Sequence, residues 1–304
     1  MERENMKKKR VVRVISFMLA AVLLVVLLVF FQYWPRYLLR KRTITTEDRE
    51  GYKTLISCNV RCMSLLELGK RSWFYRADLL LSDVEAASPD IIGFQEVTKW
   101  QYGYLMDCLK GYDSIIEYRD QSLATEGCPI FFRTSRYALV EQGSFWLSET
   151  PEVKSKDWDS ECYRICSYVI LSEKESGKQF AVFNTHLDHV SDQARINGIN
   201  VVLEKIEQFG GLPSVIMGDF NAEEGSRTYL SATEYFLDAA YEAGDDIYSA
   251  TYQNWGARGS RRRIDYFMVS PTGLTVQDYC VLSVEHDGVY ASDHNPIVMK
   301  ITLN

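Results

Sequence analysis

Histidine and closely spaced cysteines are scarce in this sequence, which limits the kinds of site it can build. Only four histidines and seven cysteines occur among 304 residues. No two cysteines form a CxxC pair, and no Cys/His cluster has the spacing of a zinc site. Most of the cysteines lie in apolar runs, which favours small buried side chains, while pairing of Cys162 with Cys166 in an oxidising compartment stays open. A structural zinc module is therefore not expected.

Two widespread catalytic signatures are also absent. The chain has no Gly-rich phosphate-binding loop and no Gly-x-Ser-x-Gly nucleophile elbow. It contains no low-complexity tract, and its composition, with 46% hydrophobic and 25% charged residues, is typical of a globular protein. The sequence therefore predicts one large folded domain after the N-terminal region, without either of these signatures.

The N-terminal region differs from the rest of the chain. Val14–Trp34 is an uncharged apolar run of about 21 residues, roughly the length of helix that crosses the hydrocarbon core of a bilayer. Phe30, Phe31, Tyr33 and Trp34 lie where an interfacial aromatic belt is expected. Since small residues of a signal-peptide cleavage site do not follow the run, we expect an uncleaved anchor, with a cleaved signal peptide as the alternative.

Basic residues on both sides of this run bear on its orientation. The larger cluster precedes the run, which favours a cytoplasmic N-terminus and an exported domain, while a second cluster follows it. The predicted organisation is a cytoplasmic segment at 1–13, a transmembrane anchor at 14–34, a linker at 35–51 and a folded domain at 52–304. The expected location is the cell membrane, with a single span and an extracytoplasmic domain.

The part of the chain after this region is acidic. Without residues 1–42 it carries 24 Lys/Arg against 39 Asp/Glu, a formal charge of −15, compared with −7 for the whole chain. An acidic domain gains no general attraction to a polyanion. This balance argues against a high-affinity nucleic-acid binder, although not against an enzyme with a small footprint.

The order of predicted elements repeats once along the domain. Short apolar runs predict buried strands, and apolar residues at helical spacing predict the helices between them. The two strand–helix–strand units are Tyr52–Arg61, Phe74–Ala87 and Ile91–Val97, then Gln179–His189, Asp192–Phe209 and Pro213–Asp219. Further strands are predicted at Ile130–Phe132, Tyr137–Trp146, Arg263–Val269 and Ile297–Leu303, with an exposed loop at Ser144–Ser167. Two such units favour two packed sheets with helices outside.

Polar side chains gather where these predicted strands end. After the apolar strand at Pro213, Asp219 and Asn221 are two residues apart and would point the same way, while Phe220 turns back into the protein. Other polar residues in comparable positions are Asn59, Glu96, His186, Asp265, Asp293 and His294. If the strand ends converge, this set has too many carboxylates for a zinc site and suits Mg²⁺ or Mn²⁺. The histidines suit binding or protonation of phosphoryl oxygens.

Six short motifs, taken in order, resemble the endonuclease/exonuclease/phosphatase superfamily, which has the deoxyribonuclease I-like fold. The motifs are Ser57–Arg61, Gly93–Val97, Asn184–His189, Gly218–Asn221, Arg263–Tyr266 and Ser292–His294. The resemblance covers about residues 52–304. It implies an α/β fold, a four-layered α/β sandwich of two mixed sheets packed together with helices outside, here preceded by one N-terminal transmembrane helix.

The resemblance also implies roles for the metal-binding and water-activating residues. Glu96, with Asn59 nearby, would hold the Mg²⁺ that bridges to the scissile phosphate, and Asp293 would lie beside the metal; Mn²⁺ is the alternative ion. Asp219 would orient and deprotonate the attacking water. Asn221 would help to position the water and the phosphate.

The same resemblance implies roles for the histidines. His294 would bind a non-bridging phosphate oxygen, held in its tautomer by Asp265. His186 would contact the phosphate or the leaving group. Glu126 matches the acid that orients this histidine in the nucleases of the superfamily.

Three further residues are candidates for substrate binding. Asp188 and His189 follow His186, and a strand side chain two positions along shares its face, so a direct site role is weighed against a hydrogen bond at the rim. Arg263 belongs to a group of arginines just before Asp265. A contact with substrate phosphate is weighed there against an exposed loop.

Together these features predict a membrane-anchored, Mg²⁺-dependent hydrolase of phosphoric ester bonds. It would cleave phosphodiester or phosphomonoester bonds by in-line attack of an activated water, as a nuclease does. One alternative is a phospholipid-headgroup or sphingomyelinase-type phosphodiesterase, and another is a non-catalytic, membrane-tethered binding protein. The expected partners are a nucleic-acid, phospholipid or small phosphodiester substrate and the membrane, with no obligate protein partner. The sequence shows no hydrophobic membrane-docking hairpin, so the substrate class stays open.

Overall fold

The computed structural model describes residues 2–44, 51–64, 66–244 and 249–304. Its helices are α1 (Glu2–Arg40), α2 (Trp73–Ala87), α3 (Lys99–Cys108), α4 (Asp192–Glu207), α5 (Arg227–Thr233) and α6 (Ala239–Ala243). Its strands are β1 (Lys53–Asn59), β2 (Ile91–Gln95), β3 (Val97–Thr98), β4 (Tyr112–Ile115), β5 (Glu126–Gly127), β6 (Ile130–Arg133), β7 (Tyr137–Trp146), β8 (Ile165–Glu173), β9 (Gln179–His186), β10 (Ser214–Asp219), β11 (Leu237–Asp238), β12 (Asp265–Val269), β13 (Leu274–Val281) and β14 (Ile297–Leu303). Short 3₁₀ turns lie at Gly69–Arg71 and Asn254–Gly256.

The strands form two six-stranded mixed sheets. The first has the order β13-β14-β1-β2-β6-β4, and the second has the order β11-β12-β10-β9-β8-β7. The parallel pair in each sheet, β1 with β2 and β9 with β10, is joined by a helix, α2 or α4. The two predicted strand–helix–strand units are therefore confirmed.

Three apolar layers hold the sheets and helices together. Side chains from both sheets, including Leu55, Val215 and Met299, meet in a buried cluster between the sheets. A second cluster packs the first sheet against α2 and α3, and a third packs the second sheet against α4 and α5. Burying both faces of each sheet in this way produces four layers. The predicted four-layered α/β sandwich is confirmed.

Two predicted elements have different limits in the structure. Strand β9 ends at His186 instead of continuing to His189. Part of the predicted exposed loop at Ser144–Ser167 is strand, since β7 continues to Trp146 and β8 begins at Ile165. The loop is therefore confined to residues 147–164, which connect two antiparallel strands, and it is exposed only in part, since Leu147, Ser148 and Arg164 are buried. Cys162 lies in this segment, and both it and Cys166 are free thiols.

Helix α1 contains the predicted anchor and extends beyond it at both ends. Residues 3–28 are long and apolar enough to span a membrane, and none of the apolar stretch is buried in the protein. Further along, Phe30 and Trp34 pack their rings against Phe74 of α2, with centroids 5.8 and 6.0 Å apart. These two rings therefore contact the folded domain, and their place in an interfacial belt stays a prediction. The side chains of Phe31 and Tyr33, and residues 45–50 of the predicted linker, lie outside the described parts of the chain.

Candidate functional site

Strand pairing brings the polar strand ends of the second sheet side by side. β10 lies between β9 and β12, with Asp219 opposite both His186 and Asp265. Gly218 makes this close pairing possible, because its φ is +140° and an added Cβ would lie 1.9 Å from the carbonyl oxygen of Thr185. The carboxylate of Asp219 is therefore held at the centre of this edge.

Asn59 connects the two sheets across the site. Its Nδ2 donates hydrogen bonds to Oε1 of Glu96 at 3.1 Å and to Oδ2 of Asp219 at 3.0 Å. Its Oδ1 accepts from the backbone N–H of Arg61 at 2.9 Å, which fixes the orientation of the amide. The amide oxygen thus faces the backbone and the amino group faces the carboxylates. Asn59 therefore positions Glu96 and Asp219, and its place beside a metal stays a prediction.

Glu96 occupies a strained position between β2 and β3. Its φ of 61° lies in the left-handed region, which a glutamate rarely adopts. Its Oε2 accepts from the backbone N–H of Cys62 at 2.9 Å and lies 3.8 Å from Nη1 of Arg61. Burial raises the pKa of Glu96, but Arg61, the Cys62 N–H and Asn59 together lower it below its ordinary value. Glu96 is therefore kept as a carboxylate.

A buried histidine–aspartate pair faces Asp219. Nδ1 of His294 lies 2.8 Å from Oδ2 of Asp265, and Nε2 of His294 lies 3.6 Å from Oδ2 of Asp219. The backbone N–H of Asp265 donates to Thr251 at 3.0 Å. Burial lowers the pKa of His294, but Asp265 and Asp219 outweigh it and raise the pKa to about 10. Burial, reinforced by Asp265, raises the pKa of Asp219 to about 7. The structure thus brings a cationic imidazole to the central carboxylate.

His186 approaches Asp219 from the other side. Its Nε2 lies 3.5 Å from Oδ2 of Asp219 and 3.0 Å from Nδ2 of Asn221. Because the same Nδ2 also donates to the carbonyl of Leu187 at 3.1 Å, the amide nitrogen faces His186 and the ring accepts at Nε2. Burial and then Arg164 lower the pKa of His186 well below its ordinary value. His186 is therefore neutral.

Two groups of side chains could hold a metal. Ligand atoms of Asp219, Asp265 and His294 lie within 4.8 Å of one another, but Asp265 and His294 already share a hydrogen bond. The carboxylates of Glu96 and Asp293 fit better, because hard divalent cations prefer oxygen ligands. Burial lowers the pKa of Arg61, but first Glu96 and then Asp293 raise it above its ordinary value. Both carboxylates therefore act on the same guanidinium, so we assign the proposed ion to Glu96 and Asp293.

Glu126 lies at the site with a different partner from the predicted one. It lines a small cavity with Glu96, His186 and Arg164. Both of its carboxylate oxygens contact Arg119, at 3.1 and 2.8 Å. Asn221 contacts Nε2 of His186 in the structure, while the orientation of that ring by Glu126 stays a prediction.

Asp188 is a buried structural residue. Its Oδ1 accepts from the backbone N–H groups of Val190 and Ser191 at 3.0 and 2.8 Å, and its Oδ2 accepts from Ser160 at 3.0 Å. Burial raises its pKa, but the Ser191 and Val190 N–H groups dominate and lower it to about 2. Since β9 ends at His186, the shared-face argument does not apply to Asp188. The carboxylate organises the loop before α4, which corrects its predicted contact with substrate.

The side chains of His189 and Arg263 also contact other side chains of the fold. Nδ1 of His189 lies 2.9 Å from Nη2 of Arg164. The Arg263 guanidinium donates to both carboxylate oxygens of Asp238, at 2.6 and 2.7 Å, and lies over the Tyr266 ring. Arg263 is buried, which corrects both expectations for it, the exposed loop and the substrate contact.

Replacing Arg263 with Met should therefore reduce stability rather than chemistry. Removing the cation leaves Asp238 as a buried, unpaired carboxylate, which costs about 3–5 kcal/mol. We expect chemical denaturation to show a loss of this order, while kcat of the folded fraction stays near that of the parent protein. A large fall in kcat without a loss of stability would contradict this prediction and indicate that Arg263 acts in the site.

Sequence patterns did not identify several residues that contact the site. Arg119 and Arg164 lie in connecting segments, and each reaches the cavity beside His186. Neither lies in a strand-end motif, so the neighbouring residues did not indicate that these arginines contact the site. Arg61 lies within the first motif, two residues after Asn59, and this position could have indicated that it contacts the site. Ser292 precedes Asp293, to which it donates at 3.2 Å.

Comparisons of the sequence and the structure with known proteins indicate the same protein family. Residues 56–294 match the model of the Endonuclease/Exonuclease/phosphatase family. A solved endonuclease/exonuclease/phosphatase from Bacteroides vulgatus is 29% identical, with a TM-score of 0.78 over 84% of this chain and 100% of that chain. A mannosyl-6-phosphatase from Bacteroides thetaiotaomicron is 31% identical, with a TM-score of 0.75 over 83% of this chain and 100% of that chain.

One relative with a similar sequence is considerably longer than the region that it shares with this chain. Human Nocturnin is 26% identical over 279 residues, which cover 82% of this chain and 61% of Nocturnin. The chain thus spans less than two thirds of that protein's length.

Proposed function

This chain belongs to the endonuclease/exonuclease/phosphatase family, and from that premise we propose that it hydrolyses phosphate esters with the help of a divalent metal ion. One observation carries the proposal. Asn59 joins Glu96 to Asp219 across the two sheets, while both His186 and His294 approach the same Asp219 oxygen. A metal-ligating acid, a central base and two phosphate-binding groups are then available at one edge of the fold.

The metal would be held by the carboxylates of Glu96 and Asp293. Mg²⁺ is the ion that oxygen ligands favour, with Mn²⁺ as the alternative. When bound, such an ion neutralises charge on a phosphoryl oxygen. Asn59 would fix the direction of the Glu96 carboxylate, and the Cys62 N–H would keep that carboxylate ionised.

The reaction would use Asp219 as the base for the attacking water. Asn221 would help to position that water, since its backbone N–H already holds Oδ1 of Asp219 at 2.8 Å. His294, supported by Asp265, would donate a hydrogen bond to a non-bridging oxygen as negative charge develops there. His186 would contact the phosphate on the opposite side.

The ester cleaved is either a phosphodiester or a phosphomonoester. The phosphodiester proposal rests on the nuclease-like residue set. The similarity to the mannosyl-6-phosphatase, which this chain matches over the whole length of that structure, favours a small phosphomonoester as the second candidate. The net charge of −15 after residue 42 argues against a long polyanion as the preferred substrate. We further propose that residues 14–34 anchor the protein as a single span and that residues 52–304 form the catalytic domain.

A hydrolysis panel on the full chain tests the proposal. The substrates are bis-p-nitrophenyl phosphate, mannose 6-phosphate, DNA and RNA, each with Mg²⁺, Mn²⁺ or EDTA. We expect turnover with either metal and a fall of at least about 100-fold in EDTA that added metal reverses. Turnover that persists in EDTA would contradict the metal requirement. No turnover of any substrate by folded protein would favour a non-catalytic binding protein.

A further inference from the structure

The packing of α1 fixes the direction in which the apolar helix leaves the domain. Phe30 contacts Phe74 in the first turn of α2, and Arg42 forms an ion pair with Glu85 in its last turn, at 2.5 Å. Between residues 30 and 42 the chain therefore runs beside α2 and in the same direction.

Helix α3 gives the same result independently. Tyr37 packs on Tyr104 with centroids 4.8 Å apart, and the backbone N–H of Ile44 donates to the carbonyl of Cys108 at 3.1 Å. Successive residues of the N-terminal segment thus meet successive residues of α3. The segment is parallel to both helices.

Both helices begin at the end of the domain that carries the site. Arg76, in the first turn of α2, donates to the carbonyls of Val60 and Arg61, which follow Asn59. It also donates to the carbonyl of Ala291, just before the Asp293 loop, at 3.0 Å. Helix α3 begins three residues after Glu96. Followed backwards from Phe30, α1 therefore passes the site end of the domain and continues away from it.

The loops at this end and the first turn of α3 carry exposed apolar side chains. Leu66, Trp100 and Leu123 expose 91%, 62% and 105% of their surface. Leu66 lies in the loop after Asn59, Trp100 lies four residues after Glu96, and Leu123 lies in the loop just before Glu126. Leu68, Val153 and Val190 are exposed in other loops at the same end. Large apolar side chains grouped at loop tips are typical of an interaction surface.

The position of the membrane interface follows from α1 itself. The uncharged apolar run of the helix, Val14–Trp34, ends at the residue whose ring meets Phe74 in the first turn of α2. A bilayer crossed by this helix would therefore have its surface close to that turn. Trp100 lies one helical turn before Tyr104, on the side of α3 from which α1 leaves the domain. Tryptophan is favoured at such an interface.

We propose that the mouth of the site faces the bilayer, that the loop residues Leu66 and Leu123 and Trp100 in the first turn of α3 enter its interface, and that the substrate is the phosphate ester of a membrane lipid. The docking part depends on the proposed anchor, the packing of α1 and the exposed apolar residues, whereas the substrate part rests on the proposed phosphoesterase. A bilayer is the occupant that this geometry favours, because the exposed loops lie where the apolar helix would enter it. Lipid headgroups would then reach Asp219 without leaving the membrane surface.

Fluorescence quenching tests the docking without using activity. The full chain is reconstituted in phosphatidylcholine vesicles whose acyl chains carry bromine, and one tryptophan is added at either end of the domain. Leu123→Trp adds it at the site end, and Val140→Trp adds it in the first half of β7, at the opposite end. We expect the added emission to be quenched for Leu123→Trp and not for Val140→Trp. Equal quenching of the two would overturn the docking.

Activity tests the substrate class. Full chain is assayed on vesicles of phosphatidylcholine, phosphatidylglycerol and phosphatidic acid, and on soluble bis-p-nitrophenyl phosphate. The Leu66→Glu/Leu123→Glu variant should lower the ratio of vesicle to soluble turnover at least about tenfold. The matched Leu139→Glu/Val140→Glu variant, which changes exposed residues at the opposite end, should leave it unchanged.

The outcomes separate the two levels of the proposal. Turnover of the soluble ester without release of phosphate or headgroup from the vesicles would overturn the lipid substrate while leaving the phosphoesterase intact. An unchanged ratio in the Leu66→Glu/Leu123→Glu variant would also overturn it. Failure to hydrolyse either substrate, with Leu123→Trp still quenched, would overturn the proposed function and leave the docking in place.

Discussion

Asp219→Asn should lower kcat for phosphate-ester hydrolysis by about 10²–10⁴-fold, the range lost when a general base is removed. Asp219 accepts from Asn59 at one oxygen and from the Asn221 N–H at the other, and both histidines lie within 3.6 Å of it. An amide of the same shape keeps the packing but cannot take a proton from water. Initial rates at saturating substrate and metal measure the effect.

Asp278→Asn is the matched control for this experiment. Asp278 is a partly exposed acid on β13 that pairs with Lys300, so the substitution removes the same charge away from the site. We expect its kcat to match that of the parent protein. Thermal unfolding of both variants separates lost chemistry from lost folding. If Asp219→Asn retained full activity while folded, the mechanism proposed for Asp219 would be wrong.

The second large effect concerns the His294–Asp265 pair. His294→Gln should lower kcat/KM by about 10²–10³-fold, because it removes a positioned donor to the developing charge. Asp265→Asn should cause a loss of similar order, since Asp265 holds Nδ1 of His294 at 2.8 Å and keeps the ring cationic. Residues that act as one unit are not additive, so the double variant should be little worse than His294→Gln.

A double-mutant cycle on kcat/KM provides the measurement. The control is Asp83→Asn, which disrupts a buried aspartate–histidine contact elsewhere, with His286 at 2.9 Å. That substitution should change stability and leave kcat/KM near the parent value. Fully multiplicative losses in the cycle would mean that Asp265 does not act through His294.

Much of the fold was predictable because the sequence encodes it locally. Ile91–Gln95 and Ser214–Asp219 are short apolar runs, and α2 and α4 have apolar residues at helical spacing, so neighbouring residues alone indicate strand or helix. Polar residues directly after those strands indicated where the site would lie. Strand β8 was not predicted because its first three residues were included in the loop at Ser144–Ser167, although the strand is mostly apolar and all but one of its residues are buried.

Roles that depend on which partner a buried polar side chain meets were less predictable. Glu126 was expected to orient His186. In the structure its carboxylate pairs with Arg119, seven residues away, and Asn221 contacts Nε2 of the histidine. Asp188 was expected on the same face as His186, but the strand ends first and backbone N–H groups capture its carboxylate. Buried polar groups take whichever partner the packing provides, and local spacing does not specify that partner.

The sequence by itself determined the order of elements, the apolar length of α1 and the residue types at the strand ends, since these depend on composition and short periodicity. Only the tertiary structure decided that Asn59 meets Asp219, 160 positions away, and that α1 runs parallel to α2 and α3. That direction brings the exposed loop tips to the end of the domain from which the apolar helix leaves. The physical reason is that a helix pattern records which face is apolar, whereas the direction in which the helix packs is set by side chains on its neighbours.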